Sequence, residues 1–236
     1  MPTKSECRYV PTSDAHGATR EWKFTSNQWK VYYWLLMNSK WNARAKEDHY
    51  YIYKNKFTQD DIIKDTHIGS KASIKRAFDA LEAQGAIEYN EQTKAYLLYF
   101  PRLYVPISTT ILKVFFAFDW VDMDLLVHLY STLLLWSQSE NPEFSVKFMY
   151  GVMDRYYSVE DRPKFIMCLS TLWGIGLIDV EKHSKTVCGK KTIEYLVTEV
   201  KKDIDLEEVF GDEGEIDQDR CKNVQDKCAL AAGMLK

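Results

Sequence analysis

In "TSNQWKVYYWLLMN" apolar side chains recur at helical spacing, so that Trp29, Tyr32, Tyr33, Leu36 and Met37 share one face behind a Thr25 or Ser26 cap. This predicts a buried first helix. "DHYYIYKNKF" is rich in strand formers, and "FTQDDIIKDTHIG" predicts a short second helix with Thr58 as cap, Asp60 and Asp61 in its first turn, Ile62 and Ile63 inward, and Gly69 as its stop. In "SKASIKRAFDALEAQGAIEYN" the residues Ile74, Ala77, Phe78 and Leu81 form one apolar stripe. Lys71, Ala72, Ser73, Lys75, Arg76 and Asp79 are left in solvent. After Gly85, "AIEYN" and "KAYLLYF" read as two strands joined by "EQT", a hairpin.

The order is helix, strand, helix, turn, helix, hairpin. With its short second helix, its "HIGS" turn, the Lys and Arg positions of the third helix and the "LEAQGAI" exit, "FTQDDIIKDTHIGSKASIKRAFDALEAQGAIEYN" resembles the winged helix-turn-helix domains of bacterial regulators and replication proteins. The resemblance covers residues from about 25 to 100. In that family the third helix enters the major groove and reads bases from its start, while the wing touches backbone or minor groove. By position, the resemblance implies DNA contacts from Ser70, Lys71, Ala72, Ser73, Lys75 and Arg76. The first wing departs from a phosphate-binding pattern, because Glu88 and Glu91 flank Lys94, the one cation near its tip.

A second unit follows. "LEAQGAIE" at 81–88 aligns without gaps on "LWGIGLID" at 172–179, an offset of 91 that matches Leu81 with Leu172, Gly85 with Gly176 and Ile87 with Ile178. Ahead of it, "DMDLLVHLYSTLLLWSQ" echoes the long first helix, and "FSVKFMYGVMDRYYSVEDRPKFIMCLSTLW" echoes the two helices after it. "YVPISTTILKVFFAF" has no counterpart; its apolar residues Ile111, Leu112, Val114, Phe115 and Phe116 read as an interdomain or core helix. The second hairpin, "DVEKHSKTVCGKKTIEYLVTEVKK", places Lys182, Lys185, Lys190 and Lys191, with His183, around a turn at Cys188 and Gly189. Clustered cations on a hairpin tip suit phosphates; the alternative is a solvated hairpin without a partner. Arg162 and Lys164, polar at the start of the second unit's third helix, count with Lys94 among the candidate DNA contacts, but Phe165, Ile166, Met167, Leu169, Leu172 and Trp173 make most of that helix apolar, as in a helix that packs on protein.

The expected fold class is therefore α+β, predominantly helical: two tandem winged helix-turn-helix domains with an acidic C-terminal tail. The boundaries are an N-terminal extension at 1–22, domains at 23–102 and 103–202, and a tail at 203–236. The net charge of −3 hides an asymmetry, since residues from Asp203 onward carry ten acidic against four basic side chains, a balance of −6, which leaves +3 for the rest. "DIDLEEVFGDEGEIDQD" reads as a flexible acidic segment, either a solubility tail or an intramolecular competitor for a basic surface, and "VQDKCALAAGMLK" after it allows a short final helix.

Other chemistry finds little support in the 236 residues. No run of apolar residues predicts a membrane span, and the first residues lack the apolar core of a signal peptide, which together predict a cytoplasmic protein. The five cysteines form no C-x-x-C pair and read as reduced thiols. "CGKKT" lacks the upstream glycine of a phosphate-binding loop. Asp119, Asp122 and Asp124 read as helix caps rather than metal ligands, and no nucleophile has a helper at motif spacing. No enzyme, cofactor or metal is expected.

The expected function is sequence-specific binding of double-stranded DNA, as monomer or homodimer. Tandem winged helices in one chain resemble the replication initiators of plasmids and phages, and that resemblance implies host replication proteins as further partners. The alternatives are a transcriptional regulator with the same DNA-binding mode and a winged-helix scaffold that binds protein.

Overall fold

The computed structural model describes residues 7–12, 22–41, 49–99, 103–138, 144–147, 149–151, 162–187, 190–210 and 218–235. It is an α+β structure of helices and small antiparallel sheets in two compact units, the first closing at Asp119 and the second opening at Trp120.

In the first unit, α1 (Ser26–Asn38) starts where the Thr25 amide donates to the Gln28 side chain at 2.8 Å, and it buries Trp29 and the run from Val31 to Leu36. Strands β2 (Lys40–Trp41) and β3 (Tyr50–Tyr53) and a 3-10 turn (Lys54–Lys56) lead to α2 (Gln59–Thr66). A capping box opens α2: the Thr58 hydroxyl accepts from the Asp61 amide at 3.2 Å, and the Asp61 carboxylate accepts from the Thr58 amide at 2.7 Å. The Thr58 amide, and after it the Thr58 hydroxyl, donate to the Asp61 carboxylate and hold that carboxyl below its usual range. His67, in the left-handed region at φ 56°, turns the chain into α3 (Lys71–Ala83), which is followed by β4 (Ile87–Asn90) and β5 (Ala95–Leu98). The sheet runs β2-β3-β5-β4.

The unit also takes in chain that the sequence assigned elsewhere. Strand β1 (Cys7–Pro11), expected in an extension, pairs antiparallel with β6 (Tyr104–Ser108), with Val10 opposite Val105. Helix α4 (Thr109–Ala117), capped by Ser108, buries Ile111, Leu112, Val114, Phe115 and Phe116 and packs on α1 and α2. The segment expected to open the second domain at 103 thus completes the first core, because its apolar side chains find their partners there.

The second unit comprises α5 (Met123–Trp136), β7 (Phe144–Ser145), α6 (Arg162–Gly174), β8 (Ile178–Val187), β9 (Lys190–Val200), α7 (Leu206–Phe210) and α8 (Gln218–Met234). Asp122 caps α5 by accepting from the Asp124 and Leu125 amides at 3.1 and 3.3 Å. The sheet order β7-β9-β8 repeats the order β3-β5-β4 of the first unit.

The repeat extends to single hydrogen bonds. Helices α3 and α6 each span 13 residues at the offset of 91, and Gly85 and Gly176 follow them at φ 69° and 70°, a conformation that a side chain disfavours. Ala86 donates to Leu81 at 2.9 Å and Leu177 to Leu172 at 2.9 Å; beyond the hairpins, Tyr99 donates to Ala86 at 3.0 Å and Lys201 to Leu177 at 2.8 Å. A tyrosine hydroxyl of each unit's first helix closes the figure, Tyr32 donating to the Tyr99 carbonyl at 3.2 Å and Tyr130 to the Lys201 carbonyl at 2.7 Å.

The acidic tail, expected to be flexible, carries helix α8, which packs along α6 and buries Cys221, Val224, Cys228, Ala231 and Ala232, with Leu235 just beyond it. Those residues recur at helical spacing between charged neighbours, Asp219 and Asp226 against Arg220, Lys222 and Lys227, so the acidity of the tail lies ahead of the helix. The approach is close: a Cβ at Gly174 would lie 2.7 Å from Cys228 Sγ and 3.4 Å from its Cα. Gly174→Ala is expected to destabilise the second unit by about 1–2 kcal/mol through overpacking. The added substitution Cys228→Ala should restore part of that loss in urea unfolding, the sign of a direct collision.

Candidate nucleic-acid interface

Three fully or almost fully buried side chains seat α3: Ile74, Ala77 and Leu81, the first and last with no exposure at all. The opposite face carries the residues that the sequence nominates. Ser70 is the cap, its hydroxyl accepting from the Ser73 amide at 3.2 Å and lying 3.0 Å from the Ser73 hydroxyl. Arg76 donates to the Ser73 hydroxyl at 3.2 Å. Lys71 is tied to Asp60 of α2 at 2.7 Å, an exposed pair of small net worth. Ala72, Lys75 and Arg76 are exposed, Ser73 is half-buried, and among the described residues neither Lys75 nor Arg76 has a carboxylate partner. Side chains near the start of one helix thus form a polar, cationic face.

Lys94 is less free. It sits at φ 54° in the turn between β4 and β5, and its ammonium meets Glu91 at 2.6 Å. Hydrogen bonding across this pair holds the Glu91 carboxyl below its usual range and raises Lys94. Glu88 accepts from the Tyr99 hydroxyl at 2.6 Å.

Sequence reasoning missed the cations beside that turn. The Lys54 amide donates to the Lys94 carbonyl at 3.0 Å, which lays the turn with Lys54 and Lys56 against the hairpin end, and the Lys54 ammonium stands 5.1 Å from the centroid of the Tyr89 ring. "YKNK" directly after a strand was the available signal, but it reads equally as strand residues.

In the second unit the lysines of the hairpin do not form one cluster. In the β8–β9 ladder Lys182 faces Tyr195 and Lys191 faces Thr186, which places both on one face. Lys185, opposite Thr192, is on the other face and is paired with Glu194. That carboxyl is held below its usual range first by Lys185 and then by Ser145. His183 contacts Glu181 at 3.2 Å. Lys190 stands opposite Val187 in the ladder, while the expected turn at Cys188 and Gly189 lies outside the described residues.

Arg162 and Lys164 are exposed in the first turn of α6, but the rest of that helix differs from α3 in a consistent way. Lys75, Arg76, Asp79 and Ala83 of α3 correspond at the offset of 91 to Ile166, Met167, Ser170 and Gly174. The face that is exposed on α3 is buried or half-buried on α6. Helix α8 packs on α6, the Cys228 thiol lying 4.0 Å from the Thr171 carbonyl and beside Gly174. Burial pushes that thiol up to about 11.

No protein-family model matches the chain, and no curated protein or solved structure does either. Among the described residues no helix is long and apolar enough to cross a membrane, and no three His, Cys, Asp or Glu side chains gather as a metal site.

Proposed function

We propose that this protein binds double-stranded DNA in a sequence-specific manner through a winged helix-turn-helix in its first unit, with α3 as the reading helix. One observation carries the reading: α3 is anchored by Ile74, Ala77 and Leu81 while Lys75 and Arg76, with the Ser70 and Ser73 hydroxyls, stay on its solvent face. A rigid helix with a cationic, hydrogen-bonding face suits the major groove, where arginine and lysine read guanine and hydroxyls contact bases or phosphates. The repeated hydrogen bonds and sheet order support a second winged helix. Its α6 keeps Arg162 and Lys164 exposed but has Ile166 and Met167 where α3 has Lys75 and Arg76, and it carries α8 at Thr171 and Gly174, so we assign base reading to α3 alone and give Lys182 and Lys191 the role of phosphate contacts.

Within this reading the biological role is initiation of plasmid or phage replication, with host replication proteins as later partners; promoter regulation is the alternative role for the same contacts. A protein-binding scaffold is less well supported, because the apolar flank of α6 that favoured it already has α8 against it.

Selection from a random duplex pool with the full chain tests the proposal, and enrichment of one motif is the expected result. On the enriched site Arg76→Ala should lower affinity by about 1–3 kcal/mol and relax the preference at one base position, whereas Lys191→Ala should weaken all sequences alike and flatten the salt dependence. Retained affinity and preference in Arg76→Ala would reject α3 as the reader.

A further inference from the structure

At the open end of the first unit's sheet, Tyr53, Lys54, Asn55, Tyr89, Thr93 and Lys94 line an open depression of about 570 Å³. The hydrogen bond from Lys54 to the Lys94 carbonyl joins its two walls. Tyr53, at the end of β3, is 42% exposed, and its ring meets Tyr51 edge-on with centroids 5.4 Å apart. Such packing leaves a ring face for another flat group. Tyr89 rests on Tyr96 at 5.0 Å, which in turn packs on Phe78 of α3 at 5.0 Å, so this wall of the depression is stiff. Two ammonium groups stand at the rim, and the one on Lys94 leaves its exposed partner Glu91 at small cost. The Asn55 amide and the Thr93 hydroxyl add neutral hydrogen-bonding groups.

We infer that this depression takes an unpaired nucleotide of a DNA strand, the base against the Tyr53 ring and the phosphate on Lys54 and Lys94. Duplex DNA does not fit the chemistry equally well, because its bases stack on one another and offer no face to a tyrosine, whereas an unpaired base does. The volume matches a site for one small organic group, and aromatic faces beside cations are the recurring composition of single-strand sites. The inference rests on the nucleic-acid reading of the first unit, but not on base reading by α3. It adds a second activity to the same unit: holding a strand where a duplex has opened.

The test compares blunt duplex, forked duplex with oligo(dT) arms, oligo(dT) and oligo(rU) as probes for the full chain and for Tyr53→Ala, Tyr53→Phe, Lys54→Ala and Arg76→Ala. Tyr53→Ala should weaken binding of the fork and of oligo(dT) by about tenfold and leave blunt duplex within about twofold, while Tyr53→Phe, which keeps the ring, should bind like the unsubstituted protein. Lys54→Ala should weaken the fork and reduce its salt dependence by about one phosphate contact. Unchanged fork binding by Tyr53→Ala, an equal loss on fork and blunt duplex, or no binding of fork and oligo(dT) above blunt duplex would overturn the site. Tighter binding of oligo(rU) than oligo(dT) would overturn the assignment to DNA. Fork binding that depends on Tyr53, with no blunt-duplex binding, would uphold the site and reject the α3 reading; Arg76→Ala separates the two in the reverse case. Absence of binding to all probes would reject both.

Discussion

Ile74→Ala is expected to lower the stability of the first unit by about 3 kcal/mol, while Lys75→Ala, its neighbour on α3, should change it by less than about 0.5 kcal/mol. Ile74 has no exposure and lies on α3, which packs on α1 and α2, helices that themselves bury Trp29, Tyr32, Tyr33 and Ile62 fully or almost fully. Removing its outer carbons leaves a cavity in a core whose aromatic rings are held by one another, Trp29 edge-on to Tyr32 and stacked on Tyr33, and that relaxes poorly. Lys75 projects the other way, into water. Urea unfolding of both variants, followed by far-UV circular dichroism, measures the contrast, and equal midpoints would mean that α3 is not seated as described. For the proposed DNA binding, the same pair separates two ways of losing it. Lys75→Ala should weaken it with the fold intact, and Ile74→Ala should weaken it only through the unfolded fraction, so that added DNA raises its melting temperature.

The contrast also shows what a sequence discloses. The stripe Ile74, Ala77, Leu81 and its wet complement were legible because both are encoded within one helix, at spacings of three and four. The hairpin exits were legible because a glycine at positive φ leaves a mark in the sequence, and the mark repeats at Gly85 and Gly176. What stayed hidden depends on distant partners. Nothing local says that Cys7–Pro11 pairs with Tyr104–Ser108 and so draws α4 into the first core. Nor does lysine composition reveal register: Lys182 and Lys185 are three apart, hence on opposite faces of β8, and only the ladder shows Glu194 within reach of Lys185. The final helix is only weakly marked in "VQDKCALAAGMLK", for a related reason. Charge averaged over a window says nothing of the one face that Val224 and Cys228 present to α6.

Arg8→Met is expected to cost the first unit about 3 kcal/mol, a large effect for a residue that sequence alone places in an extension. Helix α1 ends without a basic residue in its last turn, and its carbonyls need donors. Arg8 supplies them from β1: Nε to the Leu36 carbonyl at 2.9 Å, and Nη2 to the Ser39 carbonyl at 2.9 Å and the Met37 carbonyl at 3.4 Å. Nη1 turns back to the Cys7 carbonyl at 3.0 Å, and the guanidinium lies 5.4 Å from the centroid of the Tyr50 ring. Burial lowers the Arg8 pKa and the Tyr50 side chain opposes that shift, yet a guanidinium starts high enough to remain charged. Its positive charge also faces the negative end of the α1 dipole. Methionine keeps much of the apolar stem and removes every donor, so the loss reports the hydrogen bonds rather than packing. Arg8→Lys keeps the charge without the planar fork and should recover about half of the loss. Urea unfolding midpoints of the two variants decide the matter. If Arg8→Met unfolds with the unsubstituted protein, the clasp contributes nothing and β1 is held by its ladder with β6. If it unfolds early while Arg8→Lys does not, charge at the helix end matters and the fork does not. The expected order, with lysine between methionine and arginine, would show that the first strand locks the first helix, and through it the floor on which α3 rests.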